Sequence, residues 1–189
     1  MTIGGLVLAA GGSKRFGAPK QLAELDGRPL LEHVLIAMSE APLDRVVVVL
    51  GAHAQEVRKG VPLHGAEPVV CAEWEEGLGA SLRAGAAALD GCDAVVVALG
   101  DQPRLSSEAV ARVVAQRGKD EHAVRATYEG VPGHPVLLER SVLARVPTLR
   151  GDAGARDLLH GVPLREVACD GLGSPADVDT PAELAALTG

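Results

Sequence analysis

The chain is 189 residues long, carries a formal net charge of −7, and is 47% apolar but only 2% aromatic. That length suits a single domain over residues 1–189, burying roughly 70% of the surface the unfolded chain would expose, with a Val, Leu and Ala core in closely stacked helix-on-sheet layers. The acidic balance excludes broad binding to nucleic acid or to an anionic membrane, which needs an extended basic face, but leaves room for an anionic small molecule met by local cations or a metal.

Ile3 to Ala10 is a nearly continuous apolar run ending in glycine, the pattern of a buried parallel strand. Pro29 stands at a first helical position, and Leu30, Leu31, Val34, Leu35 and Met38 fall on one helical face behind it. Arg45 to Gly51 reads as a second buried strand, 52–59 as a short helix and 68–71 as a weak strand. Leu78, Leu82, Ala86 and Leu89 recur at helical spacing, and 93–99 (DAVVVAL) is the clearest interior strand. Ser106 is an N-cap for a helix carrying Val110, Val113 and Val114. Beyond residue 117 or so the pattern is less regular. Strands are expected at 122–128 and 135–139 around a turn at 129–133, helices at 141–145 and 152–160, and a last strand at 165–169. Thr180-Pro181-Ala182-Glu183 carries a capping box. Alternating strands and helices predict a doubly wound α/β fold: a mostly parallel sheet with helices on both faces.

Cys71, Cys92 and Cys169 are odd in number and form no CxxC pair, which points to a reducing compartment rather than a disulfide framework or a zinc site. The N-terminus lacks the basic region of a signal peptide, and no apolar run reaches the length of a membrane span. The expected location is the cytoplasm.

A glycine-rich loop with three cations follows the first strand. Such a turn exposes backbone N–H groups, and a following helix would add a positive dipole end. A phosphate loop of the Gly-x4-Gly-Lys type has its glycine spacing at Gly12 and Gly17, but Ala18 stands where the lysine belongs. A GxGxxG fingerprint is broken by Ser13 after Gly11. What fits every feature is small residues at 9–12 for close backbone approach, with Arg15 and Lys20 as separate phosphate partners. Asp101, just past the 93–99 strand, lies where ligands bind in open α/β sheets, and a carboxylate there suits Mg²⁺. Asp152 and Arg156 are four apart, so a helix would put them on one face, either to position a substrate or as a plain ion pair.

The stretch LAAGGSKRFGAPKQL (8–22) resembles the LAAGxSxRxGxxK signature of nucleotidyltransferases related to molybdenum-cofactor cytidylyltransferase. The resemblance continues in order through EGLGASLRAG (76–85), LGDQP (99–103), GHPV (133–136), GDAGAR (151–156) and DVDTP (177–181). It implies a Rossmann-like nucleotidyltransferase fold and Mg²⁺-dependent transfer of CMP from CTP to the phosphate of a pterin, the molybdopterin cofactor. It further implies that the product passes to a molybdoenzyme or its chaperone. Carried onto this sequence, it assigns Lys20, Arg15 and Asp101 to catalysis, and Asp101 and Asp179 to the metal, with Asp177 an equal candidate for the second ligand. Leu8, Ala9, Ala10, Gly11, Gly12, Ser13, Lys20, Gly79 and Ser81 would contact the nucleotide; His134, Asp152 and Arg156 would contact the acceptor. Ala10 matches the cytidylyl-like LAAG form rather than the guanylyl-like LAGG form. Gly79 and Ala80 depart from the pattern, since serines are common there among relatives. Trp74 is read as packing. Two other classes compete: an NAD(P)-dependent oxidoreductase of a small heterocyclic substrate, and a non-catalytic cofactor carrier. The broken fingerprint and Leu50-Gly51, where an acidic ribose-binding residue would stand, speak against the oxidoreductase.

Overall fold

The computed structural model describes residues 1–118 and 120–187. In chain order the elements are β1 (Ile3–Ala9), β2 (Glu24–Leu25), β3 (Arg28–Pro29), α1 (Leu30–Ser39), β4 (Arg45–Leu50), α2 (Ala54–Gly60), β5 (Glu67–Val70), α3 (Leu78–Ala88), β6 (Ala94–Leu99) and α4 (Ser107–Ala115), followed by β7 (Ala123–Tyr128), β8 (Val131–Glu139), α5 (Arg140–Leu143), α6 (Ala155–Leu158), β9 (Leu164–Ala168) and α7 (Pro181–Leu187). Seven strands form one sheet in the order β5-β4-β1-β6-β8-β7-β9. β1 lies between parallel neighbours, pairing Gly4 with Arg45 on one side and with Val95 on the other. β8 runs antiparallel to both β6 and β7, and β9 returns parallel to β7.

The Val and Leu runs make strands because both sheet faces are covered, so no alternation with polar residues is needed. Val7, Ala9, Val48, Val96 and Ala98 face α1, α2 and α4, while Leu6, Leu8, Val49, Val95 and Val97 face α3, α5 and α6. Helices on both faces are what the alternating pattern predicts. The chain moves outward from β1 to β4 and β5, and α3 then carries it back to β6 on the other flank of β1. This reversal opens a crevice between the carboxyl ends of β1 and β6, where ligands bind in such sheets. A small cluster of Leu25, Leu30 and Val178, packed with Phe16, Leu184 and Leu187, closes α7 over the β2–β3 hairpin and brings residues near 179 beside the β1 loop.

Three expectations shift. The turn at 129–133 is only two residues, Glu129 and Gly130, both at positive φ (51° and 77°) as a tight hairpin turn demands. Val131 to His134 extend β8, because Pro132 and Val131 pair with Thr127 and Tyr128 of β7, while β6 pairs with β8 only from Val136 onward. The prolines are tolerated where one edge of the strand is free. The helix expected over 152–160 begins only at Ala155: Gly151 turns the chain at φ 58°, and Asp157 accepts a hydrogen bond from Gly154 N at 2.7 Å. Asp152 therefore lies outside the helix and shares no helical face with Arg156. Pro29 ends β3 as the residue before α1 rather than opening the helix. The Ser106 N-cap forms, its hydroxyl accepting from Ala109 N at 3.1 Å. So does the capping box: Thr180 N donates to Glu183 at 2.8 Å and Glu183 N to Thr180 Oγ1 at 3.2 Å. Among the described residues no helix is long and apolar enough to cross a membrane.

Candidate active site

The loop leaving β1 is not followed by an α-helix. It reaches one 3-10 turn at Lys20–Leu22, and α1 begins only after the hairpin. The loop's own continuation therefore adds no helix dipole, and its shape comes from Gln21. This buried amide donates to the carbonyls of Ala9 (2.9 Å) and Gly11 (3.1 Å) and accepts from Ser13 Oγ (3.3 Å). Ser13 Oγ in turn accepts from Lys20 N at 3.2 Å, which fixes where the Lys20 side chain starts.

Lys20 Nζ donates to Asp101 Oδ2 at 2.7 Å and to Asp179 Oδ1 at 2.8 Å. The Lys20 side chain is only 14% exposed. Burial works to lower its pKa, but the charge of Asp101 and the hydrogen bonds from both carboxylates outweigh it and hold the ammonium above its ordinary value. Asp179 is held below the usual carboxylate range, first by the Lys20 hydrogen bond and, against some desolvation, by the charges of Lys20 and Arg15. Arg15 reaches Asp179 Oδ2 at 2.8 Å while 73% exposed.

Gln102 sets the remaining carboxylate, Asp177. Gln102 donates to Pro175 O (2.9 Å) and Asp177 Oδ1 (2.7 Å), and Val178 N donates to Asp101 O (2.9 Å). The 175–179 segment is thereby pinned to the end of β6, with Asp179 turned to Lys20 and Asp177 to Gln102. The Asp177 carboxyl is pushed up by desolvation and by the Asp101 and Asp179 charges, against the Gln102 bond.

Two clefts flank this cluster. The first, about 670 Å³, is lined by Leu8, Ala9, Ala10, Gly11, Gly12, Lys20, Ser81 and Asp101, all nucleotide or metal residues expected from sequence, together with Lys14, Trp74, Gly77, Leu78 and Asp152. Ser13 lies behind the wall on Gln21. Gly79 is also absent from the wall: its N–H donates to Gly151 O at 2.9 Å, which packs α3 against the 150–153 loop. Arg15 is drawn aside onto Asp179, and Lys14 is the loop cation on the wall. Trp74 packs its ring over Gly12, where an added Cβ would lie 3.1 Å from it, and so forms part of the cleft wall. Asp152, expected at the acceptor, stands in this first cleft.

The second cleft, about 800 Å³, lies on the far side of Leu99 and is lined by Gln102, Arg125, His134, Arg156, His160 and Asp177 among apolar residues. Here the expected acceptor residues His134 and Arg156 do meet. Burial pushes the His134 pKa down to about 4, with Asp101 acting in the opposite direction, so the ring is a neutral hydrogen-bonding group. Tyr128 donates to His134 O at 2.9 Å, and its own pKa is pushed up by burial to about 12.

Among the described residues no group of three or more His, Cys, Asp or Glu side chains could hold a metal alone. A hard ion in a phosphate site needs only one or two carboxylates, with phosphate oxygens completing its shell. Asp101 and Asp179 meet that need: a single ammonium bridges them, and Asp101 Oδ1 is buried without a hydrogen-bond partner.

Gln21 and Gln102 stand inside the LAAGGSKRFGAPKQL and LGDQP stretches, but the sequence carries no signal that their amides shape the loop and hold the 175–179 segment. Comparison with known proteins adds the context. The family model of the MobA-like NTP transferase domain matches residues 5–167. The nicotine blue oxidoreductase of Paenarthrobacter nicotinovorans is 36% identical over 186 residues, covering 93% of this chain and 91% of that one. The crystal structure of Rv0371c from Mycobacterium tuberculosis H37Rv superposes with a TM-score of 0.90 at 35% identity, covering 99% of this chain and 97% of that one. A complex of Rv0371c with manganese has a TM-score of 0.84 at 32% identity, covering 100% and 98%.

Proposed function

The chain belongs to the MobA-like NTP transferase domain family and is a nucleotidyltransferase, and on that premise we propose that it transfers CMP from CTP to the phosphate of the molybdopterin cofactor, releasing pyrophosphate. The observation that carries this reading is the Lys20 ammonium bridging Asp101 and Asp179 where the two clefts adjoin. In the reaction an acceptor phosphate oxygen bonds to the α-phosphorus, and the bond from that phosphorus to the oxygen leading to the β-phosphate breaks, so that pyrophosphate carries the electron pair away. Two polyanions must meet, and cations must offset their repulsion and the charge moving onto the leaving group.

Lys14 and the backbone of Ala10 to Gly12 would bind the triphosphate in the first cleft. Lys20, shared between Asp101 and Asp179, is poised to follow negative charge as it develops. His134 and Arg156 would orient the acceptor in the second cleft, the neutral imidazole by hydrogen bonding and the guanidinium by charge. A divalent ion held by Asp101 and Asp179, Mg²⁺ by preference, would supply charge neutralisation to the phosphate oxygens. The manganese complex of Rv0371c supports a divalent ion. Of the two carboxylates at 177 and 179, the one beside Lys20 is the better ligand candidate.

The word oxidoreductase in the name of the Paenarthrobacter relative favours a second reading, oxidation or reduction of a small substrate, for which NAD(P) would be the hydride carrier. Against it, the loop after β1 opens no helix to receive a pyrophosphate, and Leu50-Gly51 end β4 without an acidic side chain for a ribose. Equilibrium binding of CTP, GTP, ATP, UTP and NADPH, each with and without Mg²⁺, tests the choice. Selective Mg²⁺-dependent CTP binding, followed by pyrophosphate release with the pterin, supports the transferase. Binding of NADPH alone overturns it, and pterin binding without pyrophosphate release indicates a carrier.

A further inference from the structure

A cleft that receives a triphosphate carries an unbalanced carboxylate at one end. Asp152 lines it as an exposed, solvated carboxylate, and among the described residues this side chain is engaged in no hydrogen bond or ion pair, which leaves it free to accept from a ligand. Its place is set by structure on both sides. Gly77 precedes α3 at φ 117°, and a Cβ there would lie 2.5 Å from Asp152 Oδ1 and 2.6 Å from Gly151 O. The Gly79 N–H holds Gly151 O at 2.9 Å, and Arg83 Nη1 donates to Leu149 O at 2.7 Å, so the loop bearing Asp152 is tied to α3.

An acidic side chain facing a polyanionic ligand is unfavourable unless the ligand brings a donor to it. A nucleoside triphosphate offers two kinds of donor, the ribose hydroxyls and the exocyclic amino group of the base. The phosphate end of the cleft is marked by Lys14, Lys20 and Asp101. Asp152 instead neighbours Gly77, and the cleft wall it shares with the exposed side chain of Leu78 offers an apolar surface that suits a base.

We propose that Asp152 is a specificity-determining residue that accepts a hydrogen bond from the exocyclic amino group of the base, so that the site admits cytosine and rejects uracil. This rests on the nucleotidyltransferase reading above. A carboxylate accepts from the cytosine amino group but faces the uracil O4 as a second acceptor. The resulting preference for CTP over UTP is expected to be about tenfold or more, the worth of one charge-assisted hydrogen bond.

The test measures Mg²⁺-dependent binding of CTP, UTP and 2′-deoxy-CTP to the wild-type protein, Asp152→Asn and Asp152→Ala, with thermal unfolding as the folding control. Asparagine both donates and accepts, so Asp152→Asn should strengthen UTP binding and cut the CTP/UTP ratio by about tenfold. The ratio of CTP to 2′-deoxy-CTP should stay unchanged. A CTP/UTP ratio that neither substitution moves overturns the proposal, as does a wild-type protein indifferent to the two bases. A loss appearing instead in the 2′-deoxy ratio assigns Asp152 to the ribose and also overturns it. Failure of the wild-type protein to bind any triphosphate is a separate outcome, which refutes the nucleotidyltransferase reading itself and this inference with it.

Discussion

Replacing Lys20 by alanine removes the one ammonium shared by Asp101 and Asp179, at 2.7 and 2.8 Å. The substitution has two separable consequences. Asp101 and Asp179 are left facing each other, with the exposed Arg15 still paired to Asp179, in a setting where Asp101 Oδ1 is already without a partner. Breaking a fully buried pair costs about 3–5 kcal/mol; with the carboxylates roughly a quarter exposed, a loss of about 1–3 kcal/mol is expected on chemical denaturation. The stabilising effect has a pH signature. A lysine whose folded pKa lies above 10.5 contributes fully below that value and loses its contribution as pH rises through the folded pKa. The stability gap between wild type and Lys20→Ala should therefore narrow above about pH 10.5. The second consequence is catalytic. Losing one preorganised group that stabilises developing charge lowers turnover by about 10²–10³-fold, whereas Lys14 and the loop backbone remain to bind ground-state CTP, so its Kd should change by less than about tenfold. Single-turnover pyrophosphate release and equilibrium CTP binding, run on the same preparations, separate the two. Equal losses in rate and affinity would refute the transition-state role and make Lys20 an ordinary binding residue.

Asp101→Asn should abolish most of the Mg²⁺-dependent activity and weaken Mn²⁺ binding in the presence of CTP, read by electron paramagnetic resonance; intact metal dependence would remove Asp101 from the metal site. His134 should stay neutral until about pH 4, while the unfolded chain protonates its histidine near 6.5, so stability falls as pH drops across that window. Nitrogen chemical shifts of the ring report this directly, and a titration near 6.5 would contradict the burial argument. Gly77→Ala, with a Cβ 2.6 Å from Gly151 O at φ 117°, should destabilise the protein by at least about 1–3 kcal/mol in denaturant and weaken nucleotide binding; unchanged stability would mean that the α3 contact with the 150–153 loop is not a constraint.

Much of the fold could be read locally. The apolar runs of β1, β4 and β6, seven, six and six residues long, are too short for buried helices and read as interior parallel strands, and Thr180 to Glu183 close their own capping box through bonds three residues apart. The loop of small residues after β1, and Asp101 at the end of β6, follow from the same rules, because a strand's end is set by its own residues. Local pattern failed where a neighbour decides. Pro132 looks like part of a turn until it is seen to pair with Thr127 of β7 on an edge of β8 that β6 leaves free. Asp152 and Arg156 look like a helical pair until Gly151 adopts φ 58° and sends them to different clefts. Composition marks Lys14, Arg15 and Lys20 only as three cations. Which of them meets a ligand depends on Asp179, 159 residues beyond Lys20, being carried to the β1 loop by Val178 and α7. The sequence by itself determined the layers and the chemistry available at the carboxyl edge of the sheet. The tertiary structure decided which carboxylate faces which cation and which cleft, because those pairings depend on distances between segments remote in the chain, to which helical and strand periodicity carry no information.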